Sequence, residues 1–227
     1  MGRAGRGRGL RVAGWILGVV GVAAAVGAGL VLRDGYTTAV EAGPAMEPTY
    51  TPGDRLFLEK LAEADGGDVR RGDVVAFRMP DAEGGEVVGG SGSWVGSGLQ
   101  RVVGVGGDRV AFDGTKLTVN GTPVRESYVK GGDPGRGGER YDVKVPPGRV
   151  FLLGDNRANS LDSRYFTSEQ SGTVSLGAVS ARVLDSAAAP VALGVGSLTG
   201  VVLGLGGAGC LVAGYMLRGR RTESAWR

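Results

Sequence analysis

The chain has 227 residues, and its 26 basic and 23 acidic side chains give a net charge of +3. It contains no histidine, which excludes Ser-His-Asp and Cys-His catalysis and any metal site with a histidine ligand. A single cysteine, Cys210, excludes an intrachain disulfide and a cysteine-rich zinc site, and we expect neither a metal nor a cofactor.

The first predicted element is a membrane-spanning helix over residues 12–32, which form a continuous segment without a charge. As a helix rising about 1.5 Å per residue, this segment spans about 31 Å, close to the thickness of a bilayer core. The alternative is a cleaved secretory signal, whose apolar core usually has only about 7 to 15 residues. The length of the segment favours an uncleaved anchor.

A second uncharged segment, residues 186–217, predicts a C-terminal span, with Pro190 placed where a helix can begin. The tails, 1–11 and 218–227, are both basic, and arginines next to a span tend to stay in the cytoplasm. We therefore expect a plasma-membrane protein with cytoplasmic termini and with residues 33–185 outside the cytoplasm. Because the excess positive charge lies in the tails, it does not indicate nucleic-acid binding.

Glycines recur at a four-residue spacing in both predicted spans. Gly14 and Gly18 lie four residues apart in the first span, and Gly196, Gly200 and Gly204 repeat that spacing in the second. Small residues at this spacing let helix backbones approach each other in a membrane. The spacing is compatible with packing of the spans against each other or against a second copy of the chain. The alternative is compositional background, because a fifth of all residues are glycine and such spacings then arise often by chance.

The segment between the spans is predicted to be one mostly β domain, with antiparallel strands in a sheet or barrel. Short runs rich in branched residues recur between turn signals, at 55–58, 73–77, 100–105, 109–112, 116–119, 150–153 and 174–184. Asn120-Gly121 predicts a type I′ hairpin, in which both central residues have positive φ. Two glycine-rich segments, 81–98 and 131–138, are interpreted as flexible excursions.

Four segments of this domain together form a pattern that is specific enough to compare with known families. In chain order they are Gly43-Pro-Ala-Met-Glu-Pro-Thr49, Arg71-Gly-Asp-Val-Val-Ala-Phe77, Gln100-Arg-Val-Val-Gly-Val-Gly-Gly-Asp-Arg-Val110 and Gly154-Asp-Asn-Arg-Ala-Asn-Ser-Leu-Asp-Ser-Arg164. In order, spacing and topology they resemble bacterial type I signal peptidases, the membrane-anchored serine endopeptidases that remove signal peptides from exported proteins. The last segment fits the family pattern G-D-N-x-x-x-S-x-D-S-R at every fixed position. A second, C-terminal span occurs in some family members only.

The resemblance implies a Ser-Lys dyad, with the nucleophilic serine directly before the methionine and the general-base lysine directly before the Arg-Val-Val-Gly run. It also implies that the main-chain N–H at the nucleophile position helps to hold the oxyanion. This sequence has Ala45 and Gln100 at those positions. Because a methyl group cannot attack a carbonyl and an amide cannot accept a proton at any useful pH, the chain is predicted to be catalytically inactive.

The residues that support the dyad in the family are present. Ser160 matches the serine that orients the lysine, and Asp162 and Arg164 match a pair that braces the site. With glutamine at position 100, we expect the Ser160 hydroxyl to bond its amide. The alternative for Asp162 and Arg164 is a structural salt bridge under a turn.

Peptide binding does not require the dyad, because the family holds its substrate as an extended strand through small-residue pockets and main-chain hydrogen bonds. Gly43, Pro44 and Met46 surround the substrate-binding and oxyanion position, and Ala45 keeps its N–H. The leading hypothesis is an inactive membrane protein of the secretory pathway that binds preprotein signal peptides. A partnership with an active paralogue, or a homo-oligomer, is a further expectation.

The alternative is an active signal peptidase whose dyad is relocated or is completed by another subunit. Its candidate groups are serines of the 81–98 segment and the lysines of the chain: Ser91, Ser93, Ser97, Lys60, Lys116, Lys130 and Lys144. Such a pair must meet at about 3 Å on rigid elements, and none of these residues stands at a family catalytic position. A scaffold without any ligand is the third hypothesis.

Overall fold

The computed structural model describes residues 3–61, 68–79, 86–89, 92–95, 97–135, 138–166 and 170–223. The chain divides into two compact units, one formed by its N- and C-terminal segments and one by Gly35–Asp185. The first unit contains two helices, α1 (Arg3–Gly35) and α2 (Ala188–Glu223). Both helices are long and apolar enough to cross a membrane, over Arg8–Gly35 and Ala188–Met216.

The second unit is built from short strands. In chain order they are β1 (Tyr36–Val40), β2 (Arg55–Lys60), β3 (Val74–Arg78), β4 (Glu86–Gly89), β5 (Gly92–Val95), β6 (Ser97–Val105), β7 (Arg109–Phe112), β8 (Leu117–Val119), β9 (Thr122–Pro123), β10 (Tyr141–Lys144), β11 (Arg149–Leu153), β12 (Val174–Ser175) and β13 (Val179–Val183). Single 3₁₀ turns lie at Lys130–Gly132, Gln170–Gly172 and Leu176–Ala178.

The strands form two antiparallel sheets. The larger has the order β12-β11-β6-β3-β13-β2-β1-β4-β5, and the smaller has the order β10-β7-β8-β9. In the larger sheet β6 lies between β3 and β11, with Gln100 opposite Val75 and Arg101 opposite Leu153. The predicted fold class, a mostly β antiparallel domain between two helices, is confirmed.

Some strands bury one face against the core, and others bury both faces. On β13 the residues Val179, Ala181 and Val183 are buried while the residues between them are partly exposed, as the two-residue period of a strand requires. Phe151 and Leu152 on β11 point to opposite faces, and each is at most 1% exposed. Burial of a side chain of this size contributes roughly 1.5–3 kcal/mol. The sheet therefore holds its site-bearing strands rigidly.

The positions of most strands and of one turn were predicted correctly from the sequence. The hairpin joining β8 and β9 has Asn120 at φ 54° and Gly121 at φ 77°, as the type I′ prediction requires. Within the 81–98 segment, which the sequence analysis interprets as a flexible excursion, β4 and β5 pair antiparallel with each other and β4 pairs with β1. Valines in this segment favour a strand conformation, but the surrounding glycines disfavour it, so the sequence alone did not predict these strands. Of the 131–138 segment, residues 136 and 137 lie outside the described chain.

Within the helical unit, α1 and α2 approach each other through glycines. A Cβ on Gly21 would stand 2.5 Å from the carbonyl oxygen of Gly200, and one on Gly207 would stand 2.6 Å from the nitrogen of Gly18. Of the glycines in the sequence pattern, Gly14 and Gly200 would also bring a Cβ within 3 Å of the facing helix, whereas a Cβ on Gly18 or on Gly196 would meet no atom within 4 Å. Gly21 and Gly207 did not belong to the predicted pattern.

Candidate functional site

Gln100 lies inside the larger sheet on β6, with 2% of the residue exposed. Its Nε2 donates hydrogen bonds to Oγ of Ser160 at 3.0 Å and to the main-chain oxygen of Leu161 at 3.1 Å. The expected contact between Ser160 and Gln100 is therefore present. Because the amide is neutral and hydrogen-bonded, it can be buried without a counter-ion.

Ala45 lies in the loop between β1 and β2, next to a side chain that anchors this loop. Met46 is completely buried in a cluster that also contains Leu58 and Ala181. The carbonyl oxygen of Ala45 accepts a hydrogen bond from the main-chain nitrogen of Asn156 at 2.9 Å. The position that the resemblance gives to the nucleophile is thus held from inside the β unit and from the loop after β11.

Gly154 joins the two candidate positions. A Cβ added to it would stand 2.3 Å from Oγ of Ser160 and 2.7 Å from the carbonyl oxygen of Ala45. Any side chain at residue 154 would overlap both atoms, so only glycine lets the two segments close on each other. The structure therefore brings Ala45, Gln100 and Ser160 together, through Gly154 and through the amide of Gln100.

Asp162 and Arg164 form a buried ion pair beneath the Ser160 loop. The guanidinium donates through Nε to Oδ1 and through Nη2 to Oδ2, both at 2.8 Å, and the side chains are 0% and 10% exposed. Oδ2 of Asp162 also accepts from the nitrogen of Gly154 at 3.2 Å. Nη2 of Arg164 donates to the oxygen of Arg157 at 2.8 Å. The pair consequently ties both ends of the loop that carries Ser160.

A second buried pair lies beside Gln100. Arg101 donates to both carboxylate oxygens of Asp155, at 2.8 and 2.6 Å, and Asp155 is 0% exposed. Oγ1 of Thr49 donates to the same carboxylate at 2.5 Å. The guanidinium of Arg101 stacks on the ring of Tyr128 at 4.1 Å. These contacts join β6, the Ala45 loop and the loop after β11 into one network.

Glu41 is a buried acidic residue at the start of the Ala45 loop, and 7% of it is exposed. Its Oε1 accepts from the nitrogen of Gly43 at 3.1 Å, while its Oε2 has no hydrogen-bond partner within the described chain. Burial raises the pKa of this carboxyl, and the nearby Asp54 raises it further. The N–H two residues before Ala45 is thus already occupied.

The groups proposed for a relocated dyad give no pair among the described side chains. The amine of Lys130 is paired with the carboxylate of Glu47. Ser91 and the side chains of Ser93 and Ser97 lie outside the described residues. What the site offers chemically is a set of fixed main-chain donors and acceptors around Ala45.

Sequence reasoning gave roles to the dyad positions, Ser160, Asp162 and Arg164, and it missed the structural roles of Glu41, Asn156 and Arg101. Asn156 lies inside the fourth quoted segment, but the sequence analysis assigned it no role. Asparagine side chains in turns and loops commonly form hydrogen bonds with main-chain groups. Glu41 gave no sequence signal, because nothing in the chain marks it as buried. Only the structure shows these contacts.

Comparison with known proteins gives consistent matches. The sequence model of the family described as "Signal peptidase, peptidase S26" matches residues 12–185. Signal peptidase I of Bacillus caldolyticus is 33% identical over 142 residues, which cover 58% of this chain and 70% of that protein. Signal peptidase I P of Bacillus subtilis subsp. natto is 32% identical over 129 residues, covering 54% of this chain and 63% of that protein.

One solved structure is also similar. A signal peptidase I from Enterococcus faecalis V583 has 26% sequence identity and a TM-score of 0.38, and the match covers 52% of this chain and 97% of that one.

Proposed function

The chain belongs to the signal peptidase family, peptidase S26, and from that premise we propose that it binds signal peptides of exported preproteins without cleaving them. The observation that carries the proposal is the amide of Gln100, buried and bonded to Ser160 and Leu161 where the family places its base. An amide in this position holds the loop but takes no proton.

Loss of both dyad groups supports a lack of cleavage. In a well-studied serine protease, removal of the whole catalytic unit lowers kcat by about a millionfold, and the oxyanion hole and binding alone retain roughly 10³ to 10⁴ over water. Ala45 offers no oxygen for attack on a peptide carbonyl. The remaining acceleration would leave peptide cleavage too slow to matter.

Binding is supported by the parts of the site that need no dyad. Ala45 is half-buried, its loop is anchored by Met46, and its carbonyl is held by Asn156. Extended peptides gain affinity from main-chain hydrogen bonds and specificity from side-chain pockets. Relatives are named signal peptidases, and a signal peptide with small residues at its cleavage site is the matching ligand.

The proposed setting is the plasma membrane, with both termini in the cytoplasm. The guanidinium of Arg11 lies 5.6 Å from the ring centre of Tyr215, which places the start of α1 beside the end of α2. This contact supports the proposal that both tails lie on one side of the bilayer, and the flanking arginines favour the cytoplasmic side. A maleimide that cannot cross membranes should label cysteines introduced in the tails only after the membrane is opened.

A combined binding and cleavage assay tests the function. The full chain in detergent is mixed with a fluorescent preprotein peptide that contains an Ala-Xaa-Ala site, anisotropy reports binding, and mass spectrometry reports product. We expect saturable binding and no mature product, with weaker binding of a control peptide that has tryptophan in place of both alanines. Mature product from the unaltered chain would show an active peptidase, and absence of binding would favour a scaffold without ligand.

A further inference from the structure

Asn156 contacts the Ala45 segment through two donors. Its side-chain Nδ2 donates to the carbonyl oxygen of Pro44 at 3.0 Å, and its main-chain nitrogen donates to the carbonyl oxygen of Ala45 at 2.9 Å. Asn156 is 4% exposed, so these bonds are shielded from water. One residue therefore fixes two consecutive carbonyls on the same side of the loop.

Fixing a carbonyl also fixes the N–H of the same peptide group. In a trans peptide the C=O and N–H point in opposite directions, and among the described peptide bonds the cis one is Glu47-Pro48. Because the oxygens of Pro44 and Ala45 face Asn156, the N–H groups of Ala45 and Met46 point away from it. The loop thus presents two successive donors on the side opposite Asn156.

Neither donor has an acceptor within the described chain, whereas the neighbouring N–H groups are used. The nitrogen of Gly43 bonds Glu41, that of Glu47 bonds the oxygen of Pro44 at 3.3 Å, and that of Tyr50 bonds the oxygen of Met46 at 3.0 Å. Main-chain donors in native structures nearly always find a partner. A carbonyl oxygen of a bound peptide is a fitting acceptor for the N–H of Ala45.

We propose that Asn156 is a positioning residue for peptide binding: its side chain orients the Pro44–Ala45 peptide group so that the N–H of Ala45 donates to a carbonyl oxygen of the bound signal peptide at the Ala-Xaa-Ala junction. This inference rests on the proposed function. The second donor, from Met46, is held by the main chain of Asn156 and does not depend on its side chain.

The experiment measures whether Asn156 is energetically coupled to the ligand's carbonyl. Two signal peptides are compared, one with the ordinary peptide bond after the last alanine and one with a trans-alkene in its place, which keeps the shape but lacks the carbonyl oxygen. Their Kd values are measured on the unaltered chain, on Asn156→Ala and on Asn156→Asp. Asn159→Ala, which removes the same group from an exposed side chain of the same loop, is the matched control.

We expect the unaltered chain to bind the ordinary peptide roughly fivefold more tightly than the alkene, as one hydrogen bond gives. In Asn156→Ala and Asn156→Asp this ratio should fall close to one, because neither side chain donates to Pro44, and in Asn159→Ala it should persist. An unchanged ratio in the Asn156 variants would overturn the inference while leaving the proposed function intact. Failure of the unaltered chain to bind either peptide would overturn both.

A second measurement needs no variant. With ¹⁵N-labelled alanine in the unaltered chain, exchange of the Ala45 amide proton with solvent should slow when the ordinary peptide is added and should slow less with the alkene at equal occupancy. Equal slowing by both peptides would show that the N–H of Ala45 does not bind the carbonyl oxygen. This result decides the matter even if the Asn156 variants fail to fold.

Discussion

The side-chain amide of Gln100 donates to the hydroxyl of Ser160 at 3.0 Å, and it simultaneously bonds the main chain at Leu161. One buried neutral side chain thus holds the loop that follows β11 against β6. In the family a charged or titrating amine is expected in this place, and burying it would cost more than burying an amide. The amide of Gln100 therefore holds this loop closed without placing a charge in the buried site.

Replacement of Gln100 by leucine should lower the free energy of unfolding by about 1–3 kcal/mol, because two hydrogen bonds are lost, one to Ser160 and one to Leu161. Ser160→Ala should cost less, about 0.5–1.5 kcal/mol, because Nε2 still bonds Leu161. Thermal unfolding of the full chain in detergent measures the difference. Equal costs for the two variants would mean that the bond to Leu161 contributes little.

Restoring both dyad groups should create cleavage activity. Ala45→Ser supplies the nucleophile, and Gln100→Lys puts an amine beside Ser160 in the same buried position. The double variant should cleave a preprotein roughly 10²–10⁴ times faster than Ala45→Ser alone, which is the usual contribution of a general base. Ala45→Ser with Gln100→Met is the matched control, since methionine fills similar space without a base. A folded double variant no faster than this control would show that the surrounding site is not arranged for the chemistry.

How far the sequence predicted this site depends on the kind of contact. The bond between Gln100 and Ser160 was predictable, because the resemblance placed both residues in one site and an amide is an obvious partner for a hydroxyl. The contact of Gly154 with Ala45 was not, since the two are more than a hundred residues apart and nothing in the composition pairs them. Contacts of this kind depend on the register of the sheet.

The strands likewise include some that the sequence predicted and some that it did not. Strands with branched residues, such as β7 and β11, were predicted nearly to the residue, because local preference and burial agree there. β1 was missed, since Tyr36–Val40 continues from the helix without a turn signal and owes its strand conformation to pairing with β2. Pairing between distant segments overrides local preference in such cases.

Asp162→Ala should destabilise the chain strongly. The carboxylate is completely buried and accepts from Arg164 and from Gly154, so its removal leaves a buried guanidinium without its partner. Breaking such a pair typically costs about 3–5 kcal/mol. The matched control is Asp142→Ala, which breaks the exposed pair with Arg109 and should cost less than about 1 kcal/mol.

The same two variants address whether the buried pair serves only structure. If Asp162→Ala lowers stability yet binds a signal peptide normally at a temperature where it is folded, the pair is a structural salt bridge. A loss of peptide affinity in the folded variant would assign it a role in holding the Ser160 loop for binding. Asp142→Ala should bind peptide as the unaltered chain does.

Gly21→Ala should separate the two helices, because its Cβ would stand 2.5 Å from main-chain atoms of Gly200 and Gly204. Gly18→Ala is the matched control, since a Cβ there meets no atom within 4 Å. Cysteines at positions 25 and 197, in a Cys210→Ala background, report the distance, because Oγ of Ser197 donates to the oxygen of Ala25 at 3.2 Å. Oxidative crosslinking should be slowed by Gly21→Ala and not by Gly18→Ala, and equal rates would contradict the glycine contact.

Glu41→Gln should stabilise the chain at neutral pH. Burial raises the pKa of the Glu41 carboxyl above its ordinary value of 4.5, so the folded state binds a proton more tightly than the unfolded state does. The stability that this proton contributes is fully present below pH 4.5 and is lost as the pH rises through the folded-state pKa. Glutamine cannot ionise, so the variant should not show that loss.

Unfolding of both proteins, followed from below pH 4.5 to neutral pH, tests the sign. The difference in stability should be small at the acidic end and should grow in favour of Glu41→Gln as the pH rises. Asp54→Asn provides the comparison, because removing its charge should reduce the pH-dependent loss in a chain that keeps Glu41. A stability difference that is constant over the whole range would mean that the variant acts through packing or through the bond to Gly43, and not through the charge of a buried carboxyl.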